Sequence, residues 1–465
     1  MALDTGRLVS VWRRVASLSW PVMVEQVTRT LMRTTDILVT ALFSPLAVAA
    51  IGLADLYARL PLRIGLGLGT GAIALSSQDT GSGATANRDE VVTQAVLLGA
   101  LTGIPFAVFG VLFGEQAIAV LGIWADRDEM SQVADLGGTY LAVIFLTAPA
   151  RHVALIGARA LQGTGDTRTP MYVNITSNGL NVLLSLVLGL GLFGAPRLEI
   201  VGVGLATAFG NVFTAVAFLT ALTTDWTPAT LVFPRRLVIA KQLLVVSAPK
   251  VGEGFVATAV EFPFNAVLLF FGAEVNAAYQ IGRRVYQQVT SPLSRGLNIG
   301  ASIVVGQSLG ERDPGRARFD GWATAALGLV TVGALGIALA ALADPLVGLF
   351  TDDPETLPVA AAFAFTYGVT APFTALYITL SGALQGGSDT KTPLLARTVG
   401  LLVFYLGFST LTSVYLGWGV FGIYVGIFLY YVSAFLVVAV GFRYSGWAAR
   451  ATEMMAERGS TADDD

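Results

Sequence analysis

The sequence predicts an all-α membrane protein: twelve transmembrane helices in two six-helix lobes related by a pseudo-twofold axis along the membrane normal. Three observations predict it. Of 465 residues, 54% are hydrophobic and 13% charged, whereas a soluble domain has about a quarter of its residues charged; such a chain cannot cover a soluble surface. The mean hydropathy of +0.69 comes from long apolar stretches, each close to the roughly 20 residues a helix needs to cross the hydrocarbon core. The chain also repeats itself about halfway along. Its 52 glycines suit closely packed transmembrane helices, because in a soluble helix Gly costs about 1 kcal/mol against Ala.

Cutting at polar, Gly/Pro-rich and charged stretches gives spans at 17–43, 46–77, 91–113, 132–160, 170–193, 200–223, 242–272, 275–307, 321–347, 359–384, 394–416 and 419–442. The first two and the seventh and eighth are long enough to require tilt or kinks. One alternating set of loops holds Arg7, Arg13, Arg14, Arg88, Arg168, Arg235, Arg236, Lys241, Arg312, Arg316, Arg318, Lys391, Arg443, Arg450 and Arg458, and the other holds only Arg127 and Arg197. The positive-inside rule therefore places both termini in the cytoplasm, in a multi-pass protein of the cell membrane. Met1 to Ser19 carries three arginines without a short apolar core and cleavage site, so no cleaved signal peptide is read. The segment Thr223 to Lys241 has two prolines, clustered charge and no spanning pattern. It divides the chain into an N-terminal lobe (1–224), a cytoplasmic linker (225–241), a C-terminal lobe (242–446) and a cytoplasmic tail (447–465) that ends in the acidic run Asp463 to Asp465.

The repeat can be checked by subtraction. Pro21 in LSWPVMVEQ matches Pro249 in VSAPKVGEG, and Ala49-Ala50 matches Ala277-Ala278, both 228 positions apart. Pro61 to Gly69 matches Pro292 to Gly300 at 231, and ARALQGTGDTRTP, ending at Pro170, matches SGALQGGSDTKTP, ending at Pro393, at 223. Six helices per half is an even number, so the halves share one orientation and enclose a central cleft. In the LQGxxDTxTP turn, Gly163 and Gly386 can end a helix, Thr169 and Thr392 can N-cap the next, and Pro170 and Pro393 suit its first position. A purely structural turn is the plain reading; the alternative is that Asp166 and Asp389 help to close a cytoplasmic gate.

An ionisable residue at a helix centre costs roughly 2.5 to 3.5 kcal/mol on the insertion scale, so such residues face protein or water and are functional candidates. The first span carries Glu25, Arg29, Arg33 and Asp36, which at about 100° per residue fall within an arc of about 80°. Pairing of Glu25 with Arg29 and of Arg33 with Asp36 would be their structural role. The second span adds Asp55, Arg59 and Arg63 as another stripe. In the seventh, Lys250, Glu261 and Asn265 share a face, with Glu253 about 60° aside; Lys250–Glu253 or Glu261–Arg pairing is the structural alternative to a coupling role. Arg283, Arg284 and Arg295 lie in the eighth span. Arg cannot lose its proton and would repel an organic cation, so these arginines either neutralise carboxylates or favour an amphiphilic or anionic substrate. Arg151 and His152 in the fourth span read equally as hydrogen-bonded structural residues or as a relay.

The doubled LQGxxDTxTP turn, the P-x-x-x-E opening of the first span and the alanine-pair starts of spans two and eight resemble the multidrug and toxic compound extrusion (MATE) family over nearly the whole chain. The resemblance implies a secondary antiporter that exports organic cations, drugs or other amphiphilic small molecules in exchange for H+ or Na+ by alternating access. A lipid-linked oligosaccharide flippase of the same superfamily is the alternative. By position Asp36 in MRTTDILV is the counterpart of the family's cation or proton site. Members often carry a second Asp four residues after an Asn in helix 5; here NGLNVLLS gives Asn178, Asn181 and then Ser185. Asn181, Ser185 and Thr207 could still supply oxygens, but the missing carboxylate favours H+ over Na+. Another branch uses a helix-7 Glu, whose place falls near Ala257, one turn before Glu261.

With no Cys, one His, no HExxH, no GxSxG and no nucleotide-binding loop, the sequence supports neither an enzyme nor ATP-driven transport, and calls for no metal or cofactor. The expected partners are a small-molecule substrate and the lipid bilayer, without nucleic acid or nucleotide, and the chain is expected to act as a monomer.

Overall fold

The computed structural model describes residues 5–121 and 127–459. The side chain of Arg127 and the acidic run Asp463 to Asp465 lie outside the described residues. Twelve long helices follow one another: α1 (Thr5–Ala41), α2 (Pro45–Gly81), α3 (Thr85–Leu121), α4 (Arg127–Leu146 and Ala148–Gly163), α5 (Arg168–Leu190), α6 (Glu199–Leu222), α7 (Leu237–Phe270), α8 (Ala273–Gly310), α9 (Pro314–Ala341), α10 (Thr356–Gly386), α11 (Lys391–Tyr415) and α12 (Val420–Tyr444). A terminal helix, α13 (Trp447–Glu457), ends the described chain. The described residues contain no strand.

Each expected span overlaps one of these helices along most of its length, six to each half, the largest overrun being the ninth, expected to 347 where α9 ends at Ala341. Among the described residues, nine are long and apolar enough to cross a membrane, and the two segments of α4, bent by 50°, make a tenth. The remaining two, α1 and α8, match the others in length but carry the charged stripes that lower their hydropathy. The four spans expected to kink each contain proline: Pro21 in α1, Pro61 in α2, Pro249 and Pro263 in α7, and Pro292 in α8. Proline removes a backbone donor and crowds the preceding turn, so these are the points at which a long helix can bend. The halves thus repeat two of these prolines within their helices, Pro21 with Pro249 and Pro61 with Pro292.

The LQGxxDTxTP turn closes α4 and α10 at Gly163 and Gly386, as expected. Its capping chemistry differs from the expectation. The caps are Thr167 and Thr390, and neither uses its own side chain to cap. Instead, Asp166 Oδ1 accepts from the backbone N–H groups of Arg168 and Thr169 at 3.1 and 3.0 Å, and Asp389 Oδ1 accepts from that of Thr392 at 3.0 Å. A carboxylate satisfies orphan donors at a helix N-terminus better than a hydroxyl because it also complements the positive end of the dipole. Helices α5 and α11 begin two residues before Pro170 and Pro393, which therefore stand at the third position.

Gly163 and Gly386 do more than end helices. A Cβ at Gly386 would sit 2.2 Å from the backbone oxygen of Ser302 on α8, and one at Gly163 would sit 1.9 Å from Ser76 Oγ on α2. Small residues let membrane helices approach this closely. G386A should therefore cost about 1–3 kcal/mol through overpacking, whereas G179A, where a Cβ meets nothing within 4 Å, should be neutral. Thermal unfolding of the detergent-solubilised protein checks this; equal stability of the two variants would refute the close approach of the helices.

The chain packs as two compact units. One comprises Val24–Ser76 and Thr85–Leu244, the other Met1–Met23, Ser77–Ala84 and Val245–Asp465. In the first unit the segment between α6 and α7 is anchored rather than free. Glu90 Oε1 accepts from the backbone N–H of Arg235 at 2.6 Å and from that of Arg236, whose guanidinium also donates to Asn87. Val232 N–H donates to Thr93 Oγ1 at 3.0 Å. The start of α3 thus holds the linker, and α7 begins at Leu237. In the second unit the core lies where α8 packs along α10, around Phe264, Tyr279, Phe363 and Tyr367.

Candidate functional site

In the unit containing most of the N-terminal half, α1, α5 and α6 bring Asp36, Asn181, Ser185 and Thr207 together. Ser185 Oγ donates to Asp36 Oδ1 at 2.8 Å. With its amide nitrogen turned to Asp36, Asn181 donates to the same oxygen at 3.3 Å, and its own oxygen accepts from Thr207 Oγ1 and N–H at 3.3 and 3.2 Å. Asn181 and Ser185 are buried, and Asp36 is partly so. Asp36 is met by neutral donors, and no cation pairs with it among the described residues. All four candidates chosen from the sequence for this cluster therefore meet.

Among the described residues, the Arg33–Asp36 pair expected along α1 does not form. Arg33 reaches across to Asp55 on α2, Nη2 to Oδ2 3.6 Å, rather than to Asp36 one turn away. Glu25 takes a hydrogen bond from Gln162 Nε2 at 3.4 Å, and Gln162 Oε1 in turn accepts from Arg159 Nη1 at 3.0 Å. A stripe on one helix is answered by its neighbours because side chains three or four residues apart on α1 point the same way, toward other helices. Arg29, Arg33, Asp55 and Tyr140 lie within electrostatic reach of Arg151. His152 is met by protein on both sides, Nε2 by the Pro61 carbonyl at 2.9 Å and Nδ1 by Thr102 Oγ1 at 3.1 Å.

In the other unit, Glu253 on α7 is buried and doubly paired. Lys250 Nζ donates to both carboxylate oxygens at 3.0 and 2.9 Å, and Arg397 Nη1 on α11 donates to Oε1 at 3.0 Å. Glu261 meets Arg283 Nη2 at 3.5 Å, its backbone oxygen accepts from Asn265 Nδ2 at 2.6 Å, and Asn265 Oδ1 accepts from Gln280 Nε2 at 3.3 Å. Both structural pairings expected for this helix are present. Arg284 and Arg295 lie on exposed faces of α8.

Two features have no counterpart among the sequence-based expectations. The first is an aromatic chamber: Tyr279 and Tyr405 share a 2.6 Å hydroxyl contact, Phe264 stacks on Tyr405 at 4.0 Å, Tyr286 stacks on Tyr367, and Arg283 Nη1 donates to Tyr279 at 2.9 Å. Ten of the 13 tyrosines fall in the C-terminal half, a skew that is the sequence signal for it. The second is the tail. Arg458 pairs with Asp79 at 2.8 Å with both side chains fully buried, and it also donates to Gln78 Oε1 at 2.9 Å. Gln78 Nε2 in turn donates to the Gly386 carbonyl at 2.8 Å. Asp389 Oδ2 accepts from Arg450 Nη2 at 2.8 Å, whereas Asp166 caps backbone alone. Among the described residues the two turn aspartates therefore differ: only Asp389 ties the turn to the tail.

Twelve helices in two repeated halves, with polar clusters held inside each unit, define a multi-pass membrane transporter. A family model described as MatE matches residues 21–187 and again 249–411, the two halves of the repeat, and the chain belongs to that family. It is 28% identical over 433 residues to the probable multidrug resistance protein NorM of Rhodopseudomonas palustris, covering 90% of this chain and 89% of that one. Its fold matches a MATE crystal structure in the straight conformation with a TM-score of 0.84 at 20% identity, over 95% of this chain and 96% of that one. It matches a MOP superfamily transporter from Pyrococcus furiosus with a TM-score of 0.81 at 19% identity, over the same shares.

Proposed function

We propose that the protein is a secondary antiporter of the cell membrane that exports organic cations, drugs or other amphiphilic small molecules in exchange for H+. The observation that carries the reading is Asp36: a partly buried carboxylate with hydroxyl and amide donors and, among the described residues, no cation within ion-pair distance, the nearby Arg33 being paired with Asp55. Such a group can take up and release a proton as its surroundings change, because burial favours its neutral form and an approaching positive charge favours its ionised one. Glu253, by contrast, is already neutralised by two cations and has less to gain from a third. The one-carboxylate cluster favours H+ over Na+, a hard cation that binds best where several oxygens and more than one charge converge.

Binding of H+ at Asp36 would release substrate from the outward-open state, and the lobes would rock to the inward-facing one. The relatives' description as multidrug resistance proteins supports this reading over a flippase. The basic loops support a cytoplasmic side for both termini in this reading. The deciding experiment reconstitutes the protein into liposomes and follows efflux of a fluorescent organic cation under pH and sodium gradients imposed separately. Efflux driven by the pH gradient alone is expected. Efflux that follows the sodium gradient would move the coupling ion to Na+, and efflux indifferent to both would reject antiport.

A further inference from the structure

A cavity of about 360 Å³ opens between the first turns of α1 and α9, lined by Arg7, Ser10, Val11, Arg14, Arg316 and Asp320. Its size falls in the range of small-molecule sites. Asp320 is buried beneath it, with Oδ2 accepting from Ser308 Oγ at 2.6 Å and standing 3.8 Å from Arg316 Nε. Arg316 Nη1 meets Glu311 at 2.5 Å, Arg14 Nη2 donates to the neutral Gln307 at 2.6 Å, and the Arg7 guanidinium lies 4.2 Å over the Phe319 ring. The site thus gathers three guanidinium groups against two carboxylates, both of which lie on Arg316, and Arg13, Arg312 and Arg318 add exposed positive charge on the same helix ends. Each guanidinium carries five donors in a planar fork that matches phosphate oxygens, and these interactions leave donors of Arg14 and Arg316 unused.

The place of the cavity selects the source of the phosphate. Helix α1 has 37 residues, about 55 Å at 1.5 Å per residue, against a hydrocarbon core of about 30 Å. Its first turns therefore project into the headgroup layer. From there α9 presents Trp322, Leu329, Val330 and Ile337 outward on one face, 40–57% exposed, a Trp-topped apolar strip of the kind that lies against acyl chains. The geometry points to a site for the phosphate of an anionic membrane phospholipid, with the headgroup between Arg7, Arg14 and Arg316 and the chains along α9. Val11 and Ser10 belong to the segment before Pro21 that packs in the unit containing α9, so a bound lipid would staple this end of α1 to it.

The test uses full-length protein purified in detergent, with thermal stability and native mass spectrometry read against added phosphatidylglycerol, phosphatidylcholine or inorganic phosphate. Phosphatidylglycerol should raise the melting temperature saturably and remain bound in the gas phase, and phosphatidylcholine should do neither. R14Q/R316Q should weaken the half-saturating concentration about a hundredfold, about tenfold for each charge-assisted hydrogen bond removed. R14K/R316K, which keeps charge without the fork, should fall between and serves if the first variant does not fold. Undiminished phosphatidylglycerol binding by both variants would overturn the site. Equal protection by inorganic phosphate would overturn the lipid as its occupant.

Discussion

Proteoliposomes carrying D36N should show no efflux driven by a pH gradient, although the protein folds and inserts normally. Asn matches Asp in shape and can still accept from Ser185, whose 2.8 Å bond needs only an acceptor oxygen. Arg33 is not stranded by the change because Asp55 faces it. What disappears is the one group in the cluster that can change charge. Moving one charge through 100 mV supplies roughly 2.3 kcal/mol, and at about 1.4 kcal/mol per tenfold this sustains close to a fiftyfold gradient of a neutral substrate. In D36N that gradient should collapse to none, while binding of substrate, measured by fluorescence quenching, persists. Undiminished accumulation would reject Asp36 as the coupling group.

The second large effect is structural. Glu253 is 2% exposed and pairs with Lys250 and Arg397 together. Removing one partner of a buried ion network leaves the others uncompensated, at a cost of about 3–5 kcal/mol. E253Q should therefore unfold far more readily in detergent than the wild type. The neutral combination K250M/E253Q/R397M should recover most of the loss, since a network of neutral groups carries no desolvated charge. E253Q as stable as the wild type would show that the trio is solvated. Stability and coupling can be separated here: residual folded E253Q should still export in response to pH.

The tail offers a smaller check of the same logic. R458M weakens a pair in which both side chains are fully buried, so limited proteolysis should cut α13 from the body sooner than in the wild type. Unchanged protection would mean that α13 is held by Trp447 and its neighbours alone. In the sequence, Arg458 counts only as a loop charge supporting orientation. Nothing in its local pattern distinguishes a solvated arginine from a buried one, because the partner, Asp79, is 379 residues away.

Legibility followed the physics of insertion. A polar residue in a span is expensive, so each one kept there stands out in the sequence, and the family resemblance then singled out Asp36, Asn181, Ser185 and Thr207 among them as one cluster. The same rule marks Lys250, Glu253, Glu261 and Asn265 on α7. It does not mark Arg397, because one arginine near the start of a span reads as an interfacial anchor. Nor does it mark the tyrosines around Tyr405, whose bulk is apolar and whose hydroxyls show their role only when they meet.

The chain alone determined its class, its twelve spans, its doubled turn and the faces on which its charges lie, since hydropathy and helical period are properties of consecutive residues. Only the tertiary structure decided that Arg33 answers Asp55 instead of Asp36, that Arg397 completes the Glu253 network, and that Asp389 reaches Arg450 while Asp166 does not. A helical period specifies the direction in which a side chain leaves its own helix. It does not specify the rotation and depth of the neighbouring helix, and those two quantities choose the partner.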